Sequence, residues 1–376
     1  MTVQQTLAEL VAINSVSARS NAPIVDYLSR RCQELGLQVA RLPYTDDQGI
    51  EKTNLIALAG AEFSDDLEVA LTLVGHTDTV PYDPNWSEAL QLTEQEGKLF
   101  GRGSCDTKAF IAATLHAVEG VALSNLRQPL ALVFTADEEI GLIGAKRLAQ
   151  LRPFRSRYAI VGEPTSLRPM RAGKGYCLAE VTVTGREAHS AYPAFGTSAI
   201  VGAARLIVAI EAIARQLETE QHAAFDPPFT TLNVGVVSGG TAKNVIPGEC
   251  RFTLEWRPIP GQDPQRLLSL ISAAIDEQKE REPNFVCALA ASRADLGFET
   301  PPDAELVVAL EQVTGKQSGT VAFGTEAAQM AELGAQAVVF GPGDIREAHR
   351  TGEFVPMSEL ETCTAVLKQA IEHFCH

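Results

Sequence analysis

Histidine and carboxylate side chains follow the apolar segments of this sequence at the points where those segments end. One example is the run of residues 67–74, whose apolar and β-branched composition predicts a buried strand, with His76 and Asp78 directly behind it. Comparable positions, behind other apolar segments or at the start of a helical one, are occupied by Asp106, Glu138, Glu139, Glu163 and His349. Imidazoles and carboxylates form a ligand set that suits Zn²⁺, Co²⁺ or Mn²⁺ better than soft metals. A carboxylate shared by two such ions would give a two-metal hydrolytic centre.

Each of these signals is weak by itself. An isolated His-x-Asp is more often structural, with Asp78 orienting His76, and an isolated pair of glutamates usually lies on a solvated surface. The glycine-rich segment GRGSCD matches neither a dinucleotide fingerprint nor a Walker sequence, and no GxSxG elbow is present. A site is favoured because several predicted strands end in such residues, and open α/β sheets form their ligand crevice at the carboxyl ends of the strands.

The order of predicted elements divides the chain into two domains. Strands and helices alternate in residues 1–176 and again in 291–376, which indicates one α/β domain with a central sheet. Residues 177–290 follow the order βαββαβ, the split βαβ arrangement of a small, ferredoxin-like α+β domain. The length of 376 residues agrees with two domains. Among the shorter elements, a strand is predicted at 55–58, and Thr325 is predicted as the N-cap of a helix.

Composition excludes several classes of partner. The formal net charge of −16 is spread along the chain, which argues against nucleic acid and against an anionic membrane surface. No apolar run approaches the roughly 18 residues of a membrane span, and the first residues do not have the pattern of a signal peptide. The 7 cysteines are dispersed without a CxxC, as expected for a reducing compartment, so a cytoplasmic location is predicted.

Five segments together carry a resemblance to a known family: GHTDTVP, GRGSCDTK, TADEEIG, VGEPT and GPGDIREAH. In this order, and through nearly the whole chain, they resemble the M20-type family of dinuclear metallopeptidases and amidohydrolases. The resemblance implies a metallopeptidase-like catalytic domain with a central sheet and an inserted lid and dimerisation domain. It also implies hydrolysis of the acyl amide of an N-acyl L-amino acid. The later segments AFGTEAAQM and FGPGDIREAH favour N2-acetyl-L-ornithine as that substrate.

The resemblance implies a metal-binding role for five residues by their positions. His76 and Glu163 would hold one divalent ion, and Glu139 and His349 would hold a second. Asp106 would bridge the two ions. Zn²⁺ is the expected metal, with Co²⁺ as the alternative. The residue after the segment Asp-Thr-Lys is alanine where the family usually has glycine, and the bridging ligand is expected to survive this change.

Further roles are implied around this centre. Asp78 would support the first histidine, and Glu138 would be the general base that moves a proton from water to the leaving amine. His189 alone reads as a surface histidine, but in similar enzymes this position reaches the partner subunit's active site and stabilises the tetrahedral oxyanion. This role requires a homodimer formed through the inserted domain. Candidate substrate-binding residues are Asn244 and Arg257, for the substrate carboxylate, and Thr325 and Gly343, for the pocket.

Other readings remain open at this point. Within the family, the substrate could be N-acetylcitrulline, N-succinyl-diaminopimelate or a dipeptide, because pocket shape decides this choice. A reading from another class is a metal-stabilised binding module without catalysis. The presence of both Glu138 and Glu139 argues against that reading.

Overall fold

The computed structural model describes residues 1–376, which form two compact units. The first unit comprises Met1–Ala172, Glu299–Gly319 and Thr325–His376, and the second comprises Gly173–Phe298 and Thr320–Gly324. The predicted domain boundaries, a catalytic domain of residues 1–176 and 291–376 around an inserted domain of residues 177–290, stay a prediction.

Most helices bury one face against a core, whereas α3 is buried on nearly all sides. Their bounds are α1 (Val3–Ala12), α2 (Ala22–Glu34), α3 (Lys108–Glu119), α4 (Ile143–Leu151), α5 (Ala199–Leu217), α6 (Gln265–Arg281), α7 (Glu305–Thr314), α8 (Ala327–Glu332) and α9 (Met357–Cys375). None of them combines the length and the apolar composition that a membrane crossing needs.

The strands range from two to ten residues. Their bounds are β1 (Gln38–Thr45), β2 (Glu51–Ala59), β3 (Glu68–His76), β4 (Thr93–Gln95), β5 (Lys98–Phe100), β6 (Leu130–Thr135), β7 (Arg155–Val161), β8 (Met170–Gly173), β9 (Tyr176–Thr184), β10 (Ala188–His189), β11 (Thr231–Gly239), β12 (Val245–Ile246), β13 (Glu249–Arg257), β14 (Val286–Asp295), β15 (Phe298–Glu299), β16 (Gly319–Val321), β17 (Gln336–Val339) and β18 (Phe354–Pro356).

A mixed central sheet organises the first unit. Its strands lie in the order β1-β2-β6-β3-β7-β17-β8, and β6, β3, β7 and β17 run parallel to one another. All six residues of β6 are buried, as expected for a parallel strand covered on both faces. Parallel strands present their carboxyl ends at one edge, so the residues that follow β3, β6 and β7 meet there.

Strand β3 continues beyond the apolar run that predicted it. The ladder with β6 extends to the pair His76 and Thr135, so His76 is the last residue of the strand rather than part of the following loop. Backbone hydrogen bonds to a neighbouring strand decide this end, and they do not require apolar side chains. His76 is therefore held by the sheet itself.

The second unit has the order βαββαβ, and its sheet lies in the order β11-β13-β9-β14 with every neighbouring pair antiparallel. Its core contains Phe252, Trp256 and Leu206 on the strands and α5, together with Ile271 of α6. The predicted fold class, an α/β unit with a central sheet plus an inserted α+β unit, is confirmed.

One predicted helix start is wrong by one residue. The N-cap of α8 is Glu326, not Thr325, and the Thr325 hydroxyl accepts a hydrogen bond from the backbone N–H of Ala327 at 3.2 Å. The Glu326 side chain is buried and accepts a hydrogen bond from Thr135, which holds this residue in place at the helix start.

Candidate metal centre

His76 lies at the carboxyl end of β3, and both of its ring nitrogens have a polar partner within hydrogen-bond distance. Its Nδ1 lies 3.0 Å from the backbone oxygen of Asp78, and its Nε2 lies 2.9 Å from Oδ1 of Asp106. Because a backbone carbonyl can only accept, Nδ1 carries a hydrogen and Nε2 faces the candidate site. Burial alone would lower the pKa of His76, but the hydrogen bonds to Asp106 and Asp78 outweigh it and raise that pKa.

Asp106 lies between two imidazoles. Its second oxygen, Oδ2, is 3.1 Å from Nε2 of His349, and that same nitrogen is 3.0 Å from the carboxylate of Glu139. Potential ligand atoms of His76, Asp106 and Glu139 all lie within 4.8 Å of one another. The structure therefore brings together four of the five residues implied as metal ligands, although they come from sequence positions far apart.

His349 differs from its neighbours in exposure. Its side chain is 50% exposed, whereas that of Asp106 is 6% exposed. Hydrogen bonds to Asp106 and then to Glu139 raise the pKa of His349 to about 10. These two carboxylates therefore favour the cationic form of the His349 imidazole.

Glu138 follows β6 and Glu163 follows β7, the two strands that flank β3, and neither carboxylate makes a side-chain hydrogen bond. Burial raises the pKa of Glu163, and repulsion by Asp106 and Glu138 raises it further. Burial likewise raises the pKa of Glu138, against the attraction of His76. Crowded acids without hydrogen-bond donors are relieved by a divalent cation. The nitrogen and oxygen donors therefore fit a divalent metal centre.

Asp78 orients the turn that carries Glu138 and Glu139. Its carboxylate accepts hydrogen bonds from the backbone N–H groups of Glu138 at 3.0 Å and Glu139 at 3.3 Å, and from the Ser17 hydroxyl at 2.6 Å. Burial alone would raise the pKa of Asp78, but the His76 ring, 3.7 Å from its carboxylate, and the hydrogen bonds from Ser17 and Glu138 outweigh burial and lower that pKa. An ionised Asp78 thus joins the histidine at one strand end to the turn behind the next strand.

Glu353 supports the candidate centre, and sequence reasoning assigned it no role. It is completely buried, and its Oε1 accepts hydrogen bonds from the backbone N–H groups of Cys105 and Asp106, each at 3.0 Å. Its Oε2 pairs with Arg102. Pairing of β18 with β5 brings these segments together, because Glu353 directly precedes β18 and Arg102 follows β5. Glu353 therefore fixes the backbone from which the Asp106 side chain projects.

Glu326 is a second residue that the sequence placed only in a helix. Its carboxylate accepts a hydrogen bond at 2.5 Å from the hydroxyl of Thr135, which is the last residue of β6. Burial raises the pKa of Glu326 to about 7.

Two of the predicted substrate residues lie in the first unit. The backbone N–H of Gly343 donates to Glu359 at 2.7 Å, and the φ of Gly343 is +87°, which favours glycine. Thr325 is buried, and its hydroxyl accepts the hydrogen bond from Ala327.

The remaining predicted residues lie in the second unit. His189 is exposed and pairs with Val245 in a short ladder, next to Asn244, whose backbone oxygen accepts a hydrogen bond from Ser190 at 3.0 Å. The Arg257 guanidinium pairs with Glu255 at 2.8 Å and lies over the Tyr176 ring. The ladder between β10 and β12 thus brings His189 and Asn244 together, and Arg257 is engaged separately.

Comparison with known proteins agrees with this geometry. The sequence profile described as "Peptidase family M20/M25/M40" matches residues 72–373. An acetylornithine deacetylase of Myxococcus xanthus is 52% identical over 374 residues, covering 99% of this chain and 97% of the relative. An acetylornithine deacetylase of Proteus mirabilis is 35% identical, covering 98% of this chain and 95% of the relative.

Solved structures share the fold at lower sequence identity. A tripeptidase from Staphylococcus aureus superposes with a TM-score of 0.79 at 21% identity, covering 99% of this chain and 97% of its own. An M20 family metallo-carboxypeptidase from Sulfolobus solfataricus superposes with a TM-score of 0.76 at 16% identity, covering 100% of this chain and 99% of its own.

Proposed function

This chain belongs to peptidase family M20/M25/M40 and is a metal-dependent amidohydrolase, and on that premise we propose that it hydrolyses N2-acetyl-L-ornithine to L-ornithine and acetate. The choice of substrate is supported by the relative that is 52% identical and is named acetylornithine deacetylase. The observation that carries the chemistry is the cluster of His76, Asp106, Glu139 and His349 at one sheet edge. The product would supply arginine biosynthesis.

The proposed cofactor is a pair of divalent ions, Zn²⁺ in preference to Co²⁺. His76 and Glu163 would hold one ion, Glu139 and His349 the other, and Asp106 would contact both. Bound cations would polarise the amide carbonyl and lower the pKa of water at the site. The distances of 2.9 Å and 3.1 Å from the two oxygens of Asp106 to the two imidazoles suit this shared carboxylate.

Glu138 is proposed as the general base. It lies on the same turn as Glu139, and Asp78 holds its backbone N–H. Burial raises its pKa, and a carboxylate with a raised pKa can accept a proton from water and then return it to the leaving amine. Asp78 would keep both His76 and this turn in position.

The second unit is proposed to supply substrate contacts within a homodimer. His189 would stabilise the oxyanion in the active site of the partner subunit, and Asn244 and Arg257 would bind the substrate carboxylate. In the first unit, Thr325 and Gly343 would line the pocket. His189→Ala should lower kcat by about 100-fold, as for other oxyanion donors. An unchanged kcat would remove this role.

Exposed apolar side chains on the second unit support the homodimer. Val201 and Val208 of α5 are 47% and 65% exposed, beside a groove of 660 Å³ between α5 and α6. Such a patch is typical of a protein interface. Light scattering should give a dimer, and Val208→Glu should shift it toward the monomer. A wild-type monomer with full activity would contradict the homodimer.

The 7 free cysteines agree with the proposed cytoplasmic location.

The deciding experiment measures amine release from N2-acetyl-L-ornithine by purified protein. Activity should disappear after treatment with a chelator and return when Zn²⁺ or Co²⁺ is added. Faster turnover of N-acetylcitrulline, N-succinyl-diaminopimelate or a dipeptide would replace the substrate assignment and keep the mechanism. Tight binding of these amides without turnover, in metal-loaded protein, would favour a binding module instead.

The role of Glu138 has its own test. Glu138→Gln should lower kcat by about 10²–10⁴-fold, the range expected for a positioned acid–base group, while the metal content stays unchanged. Glu94→Gln, an exposed residue on β4, is the matched control and should leave kcat unchanged. Retained activity in Glu138→Gln would overturn the assigned mechanism.

A further inference from the structure

We infer that Lys52, a buried residue of β2, is a positioning residue that fixes the turn presenting Glu138. This inference rests on the proposed function, because it names the support of the proposed general base. Lys52 does not touch the candidate metal centre. It acts through Asp137, the residue directly before Glu138, and through Ser17, which donates to Asp78.

The Lys52 ammonium is held by three acceptors. The side chain is 1% exposed, and its Nζ donates to Oδ1 of Asp137 at 2.8 Å, to the backbone oxygen of Arg19 at 2.8 Å and to the backbone oxygen of Ser17. An ammonium has three N–H donors, so these contacts use its full capacity. The position of the nitrogen is therefore fixed by two different chain segments.

The first route runs through the residue directly before the proposed base. The Asp137 carboxylate is held on its other oxygen by the Tyr44 hydroxyl at 2.9 Å. The φ of Asp137 is +57°, in the left-handed region that non-glycine residues rarely adopt. Such a conformation persists when surrounding contacts impose it. Here Lys52 and Tyr44 both donate hydrogen bonds to the Asp137 carboxylate. The backbone therefore turns at Asp137 and presents Glu138.

The second route runs through Ser17. Lys52 holds the carbonyl of Ser17, and the Ser17 hydroxyl donates to Asp78, whose carboxylate accepts the backbone N–H groups of Glu138 and Glu139. Both routes from one ammonium therefore end on the same turn. This convergence is a geometric reason for a charged side chain at this buried position, where its removal would leave the Asp137 carboxylate without a cation.

A neighbour on the same strand completes the support. Asn54 lies two residues after Lys52, so the two side chains share one face of β2. Its Oδ1 accepts from the backbone N–H of Ala136 at 3.0 Å, and its Nδ2 donates to the backbone oxygen of Gly144 at 2.8 Å. Asn54 thus ties together the two ends of the segment that contains Glu138.

The test compares two buried lysines in the zinc-loaded protein. Lys52→Met keeps the apolar stem and removes the three donors. It should lower kcat by about 10–100-fold, the usual loss for outer partners of a metal site, with KM for N2-acetyl-L-ornithine within about 2-fold. Lys174→Met is the matched control, because Lys174 is also buried and donates to two backbone oxygens, those of Pro227 and Phe229, in the second unit. It should lose stability but keep kcat.

A double-mutant cycle separates positioning from general damage. In the Glu138→Asp background the base is already displaced, so Lys52→Met should cost less than it does in the wild type. Equal losses in both backgrounds, an unchanged kcat in Lys52→Met, or the same loss in Lys174→Met would overturn the inference. If Lys52→Met does not fold, Tyr44→Phe removes one contact to Asp137 and should lower kcat by about 3–10-fold at constant KM. An unchanged kcat in that variant would likewise overturn it.

Metal binding gives a readout that does not depend on the proposed substrate. Glu139 lies on the same turn, so Lys52→Met should weaken Co²⁺ binding and alter the visible absorption of the Co²⁺-loaded protein, whereas Lys174→Met should not. Wild-type protein without turnover of any acyl amino acid would refute the proposed function alone. Identical Co²⁺ affinity and spectra in the wild type and Lys52→Met would then refute the positioning role.

Discussion

Removal of the Glu353 carboxylate should destabilise the first unit strongly, although this residue is far in sequence from every segment it holds. Glu353→Ala leaves the Arg102 guanidinium buried without its counter-ion and takes the acceptor from two backbone N–H groups, those of Cys105 and Asp106. Removal of one partner of a buried ion pair costs about 3–5 kcal/mol of the free energy of unfolding. We expect a loss in this range.

The assay is urea unfolding of chelator-treated protein, so that metal loss does not contribute. Trp86 is a local probe, because the Arg102 guanidinium lies 5.6 Å from its ring centre, and the other tryptophan, Trp256, belongs to the second unit. A Trp256→Phe background leaves the indole fluorescence of Trp86 as the signal of the first unit. The shift of the unfolding midpoint, with the slope unchanged, gives the free-energy difference.

Two further variants make the result decisive. Glu34→Ala removes surface ion pairs with Arg30 and Arg31. The Glu34 side chain is 52% exposed, so the variant should cost less than about 1 kcal/mol. Glu353→Gln combined with Arg102→Met removes both charges and keeps an acceptor for the backbone, so it should be less damaging than Glu353→Ala. The reasoning is refuted if Glu353→Ala loses no more stability than Glu34→Ala.

Two other predictions concern residues beside the centre. Burial raises the pKa of Glu326 to about 7 in the folded protein, above the ordinary value of 4.5, so folding binds a proton between these values and stability falls as the pH rises through this window. Glu326→Gln should therefore stabilise chelator-treated protein at pH 8 by up to about 3 kcal/mol and much less at pH 4, as read from thermal unfolding at both pH values. Gly162→Ala should destabilise the protein by about 1–3 kcal/mol, because the added Cβ would lie 2.1 Å from Cδ1 of Phe110. It should also weaken binding of Zn²⁺ to the proposed ligand Glu163.

The outcomes that contradict these two predictions are specific. A Glu326→Gln effect that is the same at both pH values would show that this carboxyl does not titrate in the stated window. For Gly162→Ala, the matched control is Gly235→Ala, whose added Cβ would meet its nearest atom at 3.4 Å. Equal stabilities of the two alanine variants would exclude the clash as the cause. So would strictly additive losses when Gly162→Ala is combined with Phe110→Ala, which removes the Cγ and Cδ1 atoms that the added Cβ would meet.

The strand ends that carry the centre could be predicted from the sequence because buried parallel strands are continuous apolar runs. The run of β6 is apolar through Phe134, and the chain leaves the sheet where Asp137 and Glu138 begin. The family resemblance added roles that spacing alone does not contain, and the match over residues 72–373 confirms the family. The individual roles of the site residues stay predictions.

The supporting residues could not be predicted, because their partners are distant and their own segments are polar. The strand predicted at 55–58 extends from Glu51 to Ala59, and its first residues pair with β1, which places Lys52 opposite Tyr44. A lysine among polar residues reads as solvated surface until the sheet around it is known. Glu353 and Arg102 are separated by 251 positions, and no local pattern connects them.

The order of strands in the central sheet has a consequence for synthesis of the protein. Strand β17 pairs with both β7 and β8, yet it lies at Gln336–Val339, after the whole second unit has been made. A nascent chain can thus complete the second unit while the sheet of the first unit still lacks an inner strand. The late arrival of β17 and His349 imposes long-range pairing, which folds slowly. Truncated or stalled chains would expose the edge of β7, so we expect aggregation and chaperone dependence to be greatest just before β17 emerges.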